Sequence, residues 1–257
     1  MKLTTTCIII IILFATSPLL AAPLSMSSSV KQATLIELYT SEGCYSCPPA
    51  DKWLATLKSS EQLWQQYIPV AFHVDYWNYL GWRDPYSKAE YSERQRQYAA
   101  QGYAKTVYTP GLFRNGREWR AWFRNRSLGK TASNDVGVLK ATLDQHQLNV
   151  SFAPISDSAA PLVLNVAVLG FDIVTPVTNG ENEGKMLAHD FVALTLGNYK
   201  SQRQAGSQGG KLKGNVHQWQ ISDAAIKLDL PHAKGIALWV TRENDPTPIQ
   251  ATGGWLQ

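Results

Sequence analysis

Cys44-Tyr45-Ser46-Cys47 stands directly after a short apolar run, Ala33–Thr40, and directly before Pro48-Pro49. Thr34, Leu35, Ile36, Leu38 and Tyr39 are good strand formers, so the run reads as a buried strand. Consecutive prolines are tolerated in the first turn of a helix, where N–H groups have no intrahelical partner. Trp53, Leu54 and Leu57 then recur at helical spacing and predict a helix over Pro48–Ser59. The thiols therefore sit at a strand-to-helix turn. Two intervening residues let a disulfide close at little geometric cost, and the positive end of a helix favours an ionised sulfur. Three readings are open: a redox pair, a pair of metal ligands, or a staple of the turn.

Compartment weighs between them. Lys2, an apolar stretch over Cys7–Phe14, Thr16-Ser17-Pro18 and the small pair Ala21-Ala22 have the order of a secretory signal. Residues 1–22 are expected to be removed on export, to the periplasm or the exterior, leaving no membrane attachment. A membrane anchor would need about 20 apolar residues, and Ser17 and Pro18 interrupt this run. Of 3 cysteines, removal of the signal takes Cys7 and leaves Cys44 and Cys47. That is too few for a disulfide scaffold, and a cysteine-only zinc site needs four thiolates. The arithmetic favours a redox pair. Net charge is +4, or +3 without Lys2, and no long basic run stands out, so nucleic acid is not an expected partner. A phosphate-cradling glycine loop, a Gly-x-Ser-x-Gly elbow and His-Glu-x-x-His are all missing from the sequence.

Ile68–Trp77 reads as a second strand and Ser87–Gln101 as a polar helix, with Ser87 and Glu90 as a capping pair. Between them Gly81-Trp82-Arg83-Asp84-Pro85 is turn chemistry. Asn115-Gly116 accepts positive φ twice and predicts a hairpin of Leu112–Arg114 with Arg117–Trp122. Val136, Val138, Leu139 and Leu143 predict a helix over Asn134–His146. Ser151–Pro161 reads as a linker. Strand-like runs follow at Leu162–Leu169, Phe191–Leu196, Val216–Gln220, Ile226–Leu230 and Gly235–Thr241.

The order strand, helix, strand, helix, hairpin, helix, with a dithiol ending the first strand and Thr109-Pro110 opening the hairpin, resembles the thioredoxin fold. The runs Glu37–Asp51, His73–Trp82, Tyr108-Thr109-Pro110, Gly180–Gly184 and His189-Asp190 resemble a family of exported bacterial thioredoxin-like proteins catalogued as a domain of unknown function. The family often has an Asp where Asn78 stands. The resemblance implies an α/β, thioredoxin-like domain over residues 30–150, and the strand-like runs of the second half imply a small all-β, sandwich-like domain over 160–257. The resemblance also implies that Pro110 is cis and faces the dithiol, with Thr109 and Pro110 as the platform on which an extended substrate pairs.

The expected activity is thiol–disulfide exchange on envelope proteins, with Cys44 as nucleophile and Cys47 as resolver. Its partners are protein thiols or disulfides and a redox partner, and no cofactor is called for. Glu37 reads either as a proton carrier for Cys47 or as a structural acid; His73 and Asp75 read either as tuning groups or as core residues. A copper or zinc site at Cys44, Cys47 and His73 is one alternative function, and a binding module with a structural disulfide is another. Tyr76, Trp77, Tyr79, Trp82, Trp119 and Trp122 read as core or as a substrate groove. The loop Gly180–Asp190 reads as an ordered turn or as a cation site.

Overall fold

Strands rather than helices make up most of the regular structure among the described residues. The computed structural model describes residues 23–129, 134–144, 147–156, 161–204, 207–208, 211–212 and 216–256. The expected signal segment, residues 1–22, lies outside them. Among the described residues the strands number eighteen and the α-helices three.

The chain runs from β1 (Leu24–Ser27) into β2 (Thr34–Thr40), whose end carries the cysteine turn and α1 (Pro48–Ala55). β3 (Tyr67–His73) returns parallel to β2, with Thr40 opposite His73. Then come α2 (Ala89–Ala100) and the hairpin β4 (Gly111–Arg114) with β5 (Arg117–Glu118), turned by Asn115 at φ 47° and Gly116 at φ 76°. A second hairpin pairs β6 (Gly137–Asp144) with β7 (Gln147–Pro154). β8 (Leu162–Gly170) leads to a third, β9 (Ile173–Pro176) with β10 (Met186–His189), and then to the short β11 (Val192–Ala193). Next are β12 (Gly197–Lys200), β13 (Gln202–Gln204), β14 (Ser207–Gln208) and β15 (Lys211–Leu212). β16 (Val216–Ser222), α3 (Asp223–Ile226), β17 (Ala233–Arg242) and β18 (Asp245–Trp255) complete it.

Nine strands form one mixed sheet in the order β18-β17-β8-β11-β3-β2-β4-β5, with β12 also paired to β8. A five-stranded sheet, β1-β6-β7-β16-β13, packs on it. The central strands are apolar on both faces because both are covered. Thr40 bonds Asp51 of α1, whereas Glu37 and Tyr39 turn to Arg94 and Tyr98 of α2, so the two helices cover opposite faces of β2. Leu162, Leu164, Val166 and Val168 of β8 join Phe152 and Trp219 in the core between the sheets.

The expected fold class is overturned. The molecule is predominantly β, not a thioredoxin-like α/β domain followed by a small separate β domain. β11 pairs parallel with β3 through Val192 and Ala71, and antiparallel with β8. Strands from both halves of the chain therefore share one sheet. Of the helix expected over Asn134–His146, the residues Gly137–Asp144 form β6 and those before it are not helical. Leu139 and Leu143 are four residues apart, a spacing that suits a helical face and one face of a strand equally well. Its partner β7 takes in the first four residues of the expected linker and buries Leu148, Val150 and Phe152 in strict alternation. Gly137 opens β6 at φ 122°, where a Cβ would collide with the Ala153 carbonyl oxygen. The run Ile226–Leu230 starts in α3 rather than forming a strand, and α2 is capped by Lys88 without a side-chain bond.

Candidate functional site

β2 ends at Thr40, and the chain folds back so that the Cys44 N–H donates to the Ser41 carbonyl at 3.1 Å. Cys44 and Cys47 are joined by a disulfide, with their Cα atoms 5.5 Å apart. Cys47 caps α1, and Pro48 and Pro49 fill its first two positions. These prolines carry no N–H, so the helix end offers a thiolate fewer donors than an ordinary first turn does. Cys44 is 1% and Cys47 0% exposed, while Tyr45 between them is 67% exposed.

The Thr109–Pro110 peptide bond is cis. Trp77 ties this segment to the cysteine turn. Its indole N–H donates to Thr109 Oγ1 at 2.7 Å, and a Cβ on Gly43 would lie 3.1 Å from Trp77 Cβ. Gln95 of α2 holds the preceding Tyr108 carbonyl at 2.6 Å. Trp53 and Trp122 are core residues, whereas Tyr79 is exposed.

Glu37 lies on the opposite face of the sheet from α1. Its Oε1 accepts from Arg94 Nε at 2.8 Å and its Oε2 from the Tyr98 hydroxyl at 2.6 Å. Burial acts to lower the Arg94 pKa, but Glu37 outweighs it and holds the guanidinium charged; burial pushes the Tyr39 and Tyr98 hydroxyls well above their ordinary range. Asp75 lies beyond β3 and is bonded to Ser92 of α2 through its N–H and its carboxylate. Trp77 thus touches both Thr109 and the Gly43 backbone that precedes Cys44. The structure gives Glu37 and Asp75 partners on α2.

His73, at the end of β3, lies on the α1 face and faces a cluster of buried charge. Its Nδ1 is 2.7 Å from Asp84 Oδ2, and Asp84 also accepts the Glu42 and Tyr86 N–H groups. Burial raises the Asp84 pKa, but His73 and these N–H groups outweigh it and hold the carboxyl below its usual range. His189, from the end of β10, places Nε2 3.2 Å from Glu42 Oε1 and Nδ1 3.8 Å from Asp51 Oδ1. Burial lowers the His189 pKa, but Asp51 and Glu42 overcome it and push the imidazole up to about 10. Trp82 Nε1 fixes Glu42 Oε2 at 2.8 Å, and Thr40 Oγ1 fixes Asp51 Oδ2 at 2.9 Å. Sequence reading picked out His73 but treated Asp84 only as part of a turn. Asp51 and Glu42 carried no signal that they would meet His189.

The turn between β9 and β10 clamps the cysteine loop. Asn182, fully buried, donates to the Glu42 carbonyl at 2.7 Å and to the Cys44 carbonyl at 3.0 Å. Glu181 Oε2 accepts the Tyr45 N–H at 3.1 Å, and Lys185 lies 4.3 Å from the Tyr45 ring centroid. Beside this contact runs a groove of about 580 Å³ between α1 and β10, lined by Tyr45, Pro49, Lys52, Met186 and His189 among others. Among the described residues no helix is long and apolar enough to cross a membrane.

The family described as "Protein of unknown function (DUF1223)" matches residues 35–228. The chain belongs to the DUF1223 family. That span holds the dithiol, the charged cluster and the clamp, while β17 and β18, which complete one side of the nine-stranded sheet, lie beyond it. No curated protein sequence matches this DUF1223 chain at a significant level. Among solved structures it is similar to a crystallised protein of Agrobacterium tumefaciens, with 21% identity, 87% of this chain and 94% of that one covered, and a TM-score of 0.60. It is also similar to HBP35 of Porphyromonas gingivalis, with 16% identity, 89% and 76% covered, and a TM-score of 0.57. At such identities the likeness is one of fold.

Proposed function

We propose that this protein is an exported thiol–disulfide oxidoreductase acting on protein thiols or disulfides through Cys44 and Cys47. The supporting observation is the paired dithiol at the β2–α1 junction, with Tyr45 between the cysteines lining a groove between α1 and β10 and Trp77 linking the cysteine turn to the cis Thr109–Pro110 segment. In the oxidising direction a substrate thiolate attacks Cys44, the Cys44–Cys47 bond breaks, and Cys47 leaves as a thiolate. A second substrate thiolate then attacks the mixed disulfide. This releases an oxidised substrate and the reduced dithiol, which a partner disulfide reoxidises. The reducing direction runs the same steps in reverse.

A second reading, a disulfide that only staples the turn, is favoured by the burial of both cysteines. Trapping separates the two. A Cys47→Ala variant treated with a disulfide-bonded peptide should accumulate a mixed disulfide at Cys44, and Cys44→Ser should form none. A folded Cys44→Ser protein that catalyses exchange as well as wild type would refute the proposal. No adduct on Cys47→Ala, even with the clamp loosened, would establish the staple.

A further inference from the structure

Four side chains from four elements converge beneath the cysteine turn: His73 from β3, Asp51 from α1, His189 from β10 and Glu42 from the loop after β2. They are 0%, 7%, 4% and 0% exposed. We propose that they form a binding site for one divalent first-row transition ion, with zinc as the matching probe, independent of the cysteines.

The first argument is the state of His73. Its Nδ1 lies 2.7 Å from Asp84 Oδ2, and in the neutral tautomer that donates from Nδ1 the far nitrogen, Nε2, presents its lone pair to the cluster. Nε2 is buried and has no hydrogen-bond partner. An orphaned buried nitrogen is costly. A carboxylate behind a histidine, with the far nitrogen open, is the arrangement that orients a metal ligand.

The second argument is that the same division recurs at the carboxylates. Glu42 and Asp51 each have one oxygen fixed by a neighbour, Trp82 or Thr40. The other oxygen of each points to His189, and Glu42 Oε1 lacks an aligned donor. Both nitrogens of His189 are likewise without a well-formed hydrogen bond. The rings of His73 and His189 meet edge to face, with centroids 4.9 Å apart.

Geometry and donor type agree. One donor atom each from Asp51, His73 and His189 lie within 4.8 Å of one another. A tetrahedral ion with bonds of about 2.1 Å wants its donors about 3.4 Å apart, so the atoms of this trio would have to draw together by up to about 1.4 Å to hold one. Two imidazoles with carboxylate oxygens suit zinc and its first-row neighbours better than magnesium or calcium, which prefer oxygen alone. Asp51 and His189 also line the groove beside α1, which supplies an entry path.

The test uses the protein with its disulfide intact, stripped by a chelator and titrated with zinc chloride by calorimetry. Cobalt(II) serves as the spectroscopic probe. One ion per chain is expected, with visible d–d bands and no thiolate charge-transfer band, and a Cys44→Ser/Cys47→Ser double variant should bind equally well. Asp51→Asn and His189→Gln, each checked for native circular dichroism, should weaken binding more than about 100-fold. Asp51→Asn preserves volume and keeps the test open if His189→Gln does not fold. The proposal is overturned if folded wild type binds no zinc up to about 1 mM. Unchanged affinity in a folded Asp51→Asn variant, or loss of binding in the cysteine variant, would overturn it too.

Discussion

Asn182→Ala should loosen the clamp over the dithiol without touching either sulfur. The Asn182 amide makes two bonds to main-chain carbonyls, of Glu42 and Cys44, in a fully buried setting. Truncation removes both and leaves the carbonyls without those donors. Each such loss costs about 1–1.5 kcal/mol, giving about 2–3 kcal/mol for the pair. If the β9–β10 turn opens as a local unit, its open population rises about 30- to 140-fold. Cys44 is almost inaccessible in the closed state, so reduction by a small thiol must pass through the open one. The assay is the rate of disulfide reduction by dithiothreitol, followed with amide exchange at Cys44 and Tyr45. Both should accelerate by a similar factor. A folded Asn182→Ala protein reduced within about twofold of the wild-type rate would show that this turn does not gate the disulfide, against a difference of about 2–3 kcal/mol.

Glu37→Gln should cost about 3–5 kcal/mol in urea unfolding, because it leaves buried Arg94 without its counter-charge. Glu37 lies on the α2 face, so the exchange rate of the folded protein should not change; equal stability would contradict the buried pair. The metal-free protein should lose stability at alkaline pH. His189 has a folded pKa raised to about 10, so its contribution is complete below its unfolded value near 6.5 and fades as pH rises through about 10. The difference in stability from a folded His189→Gln variant should shrink over that window, and a flat difference would show that His189 is not held charged by Glu42 and Asp51.

The local features of this fold were legible in sequence. The apolar run into β2, the prolines that start α1 and the Asn115-Gly116 turn each depend on neighbours in the chain, and each stands where local chemistry puts it. The fold class was not legible. Leu139 and Leu143 satisfy two periodicities at once, and pairing with β1 and β7 decides for a strand. The joining of both halves in one sheet rests on two residues of β11, too short a strand to announce itself. The same limit applies to the site. Cys44 and Cys47 stand out because they are close in sequence. His73 and Asp84 are joined by a turn, and His189 reaches Glu42 and Asp51 only because β9–β10 folds back over α1. Charge clusters assembled across elements leave no spacing pattern to read.

The redox equilibrium of Cys44–Cys47 against glutathione tests the central proposal most directly. An exchange centre predicts a potential above about −230 mV, within reach of cellular thiol couples. A potential below about −300 mV, with no thiol of depressed pKa in the reduced protein, would contradict it and make the bond a staple.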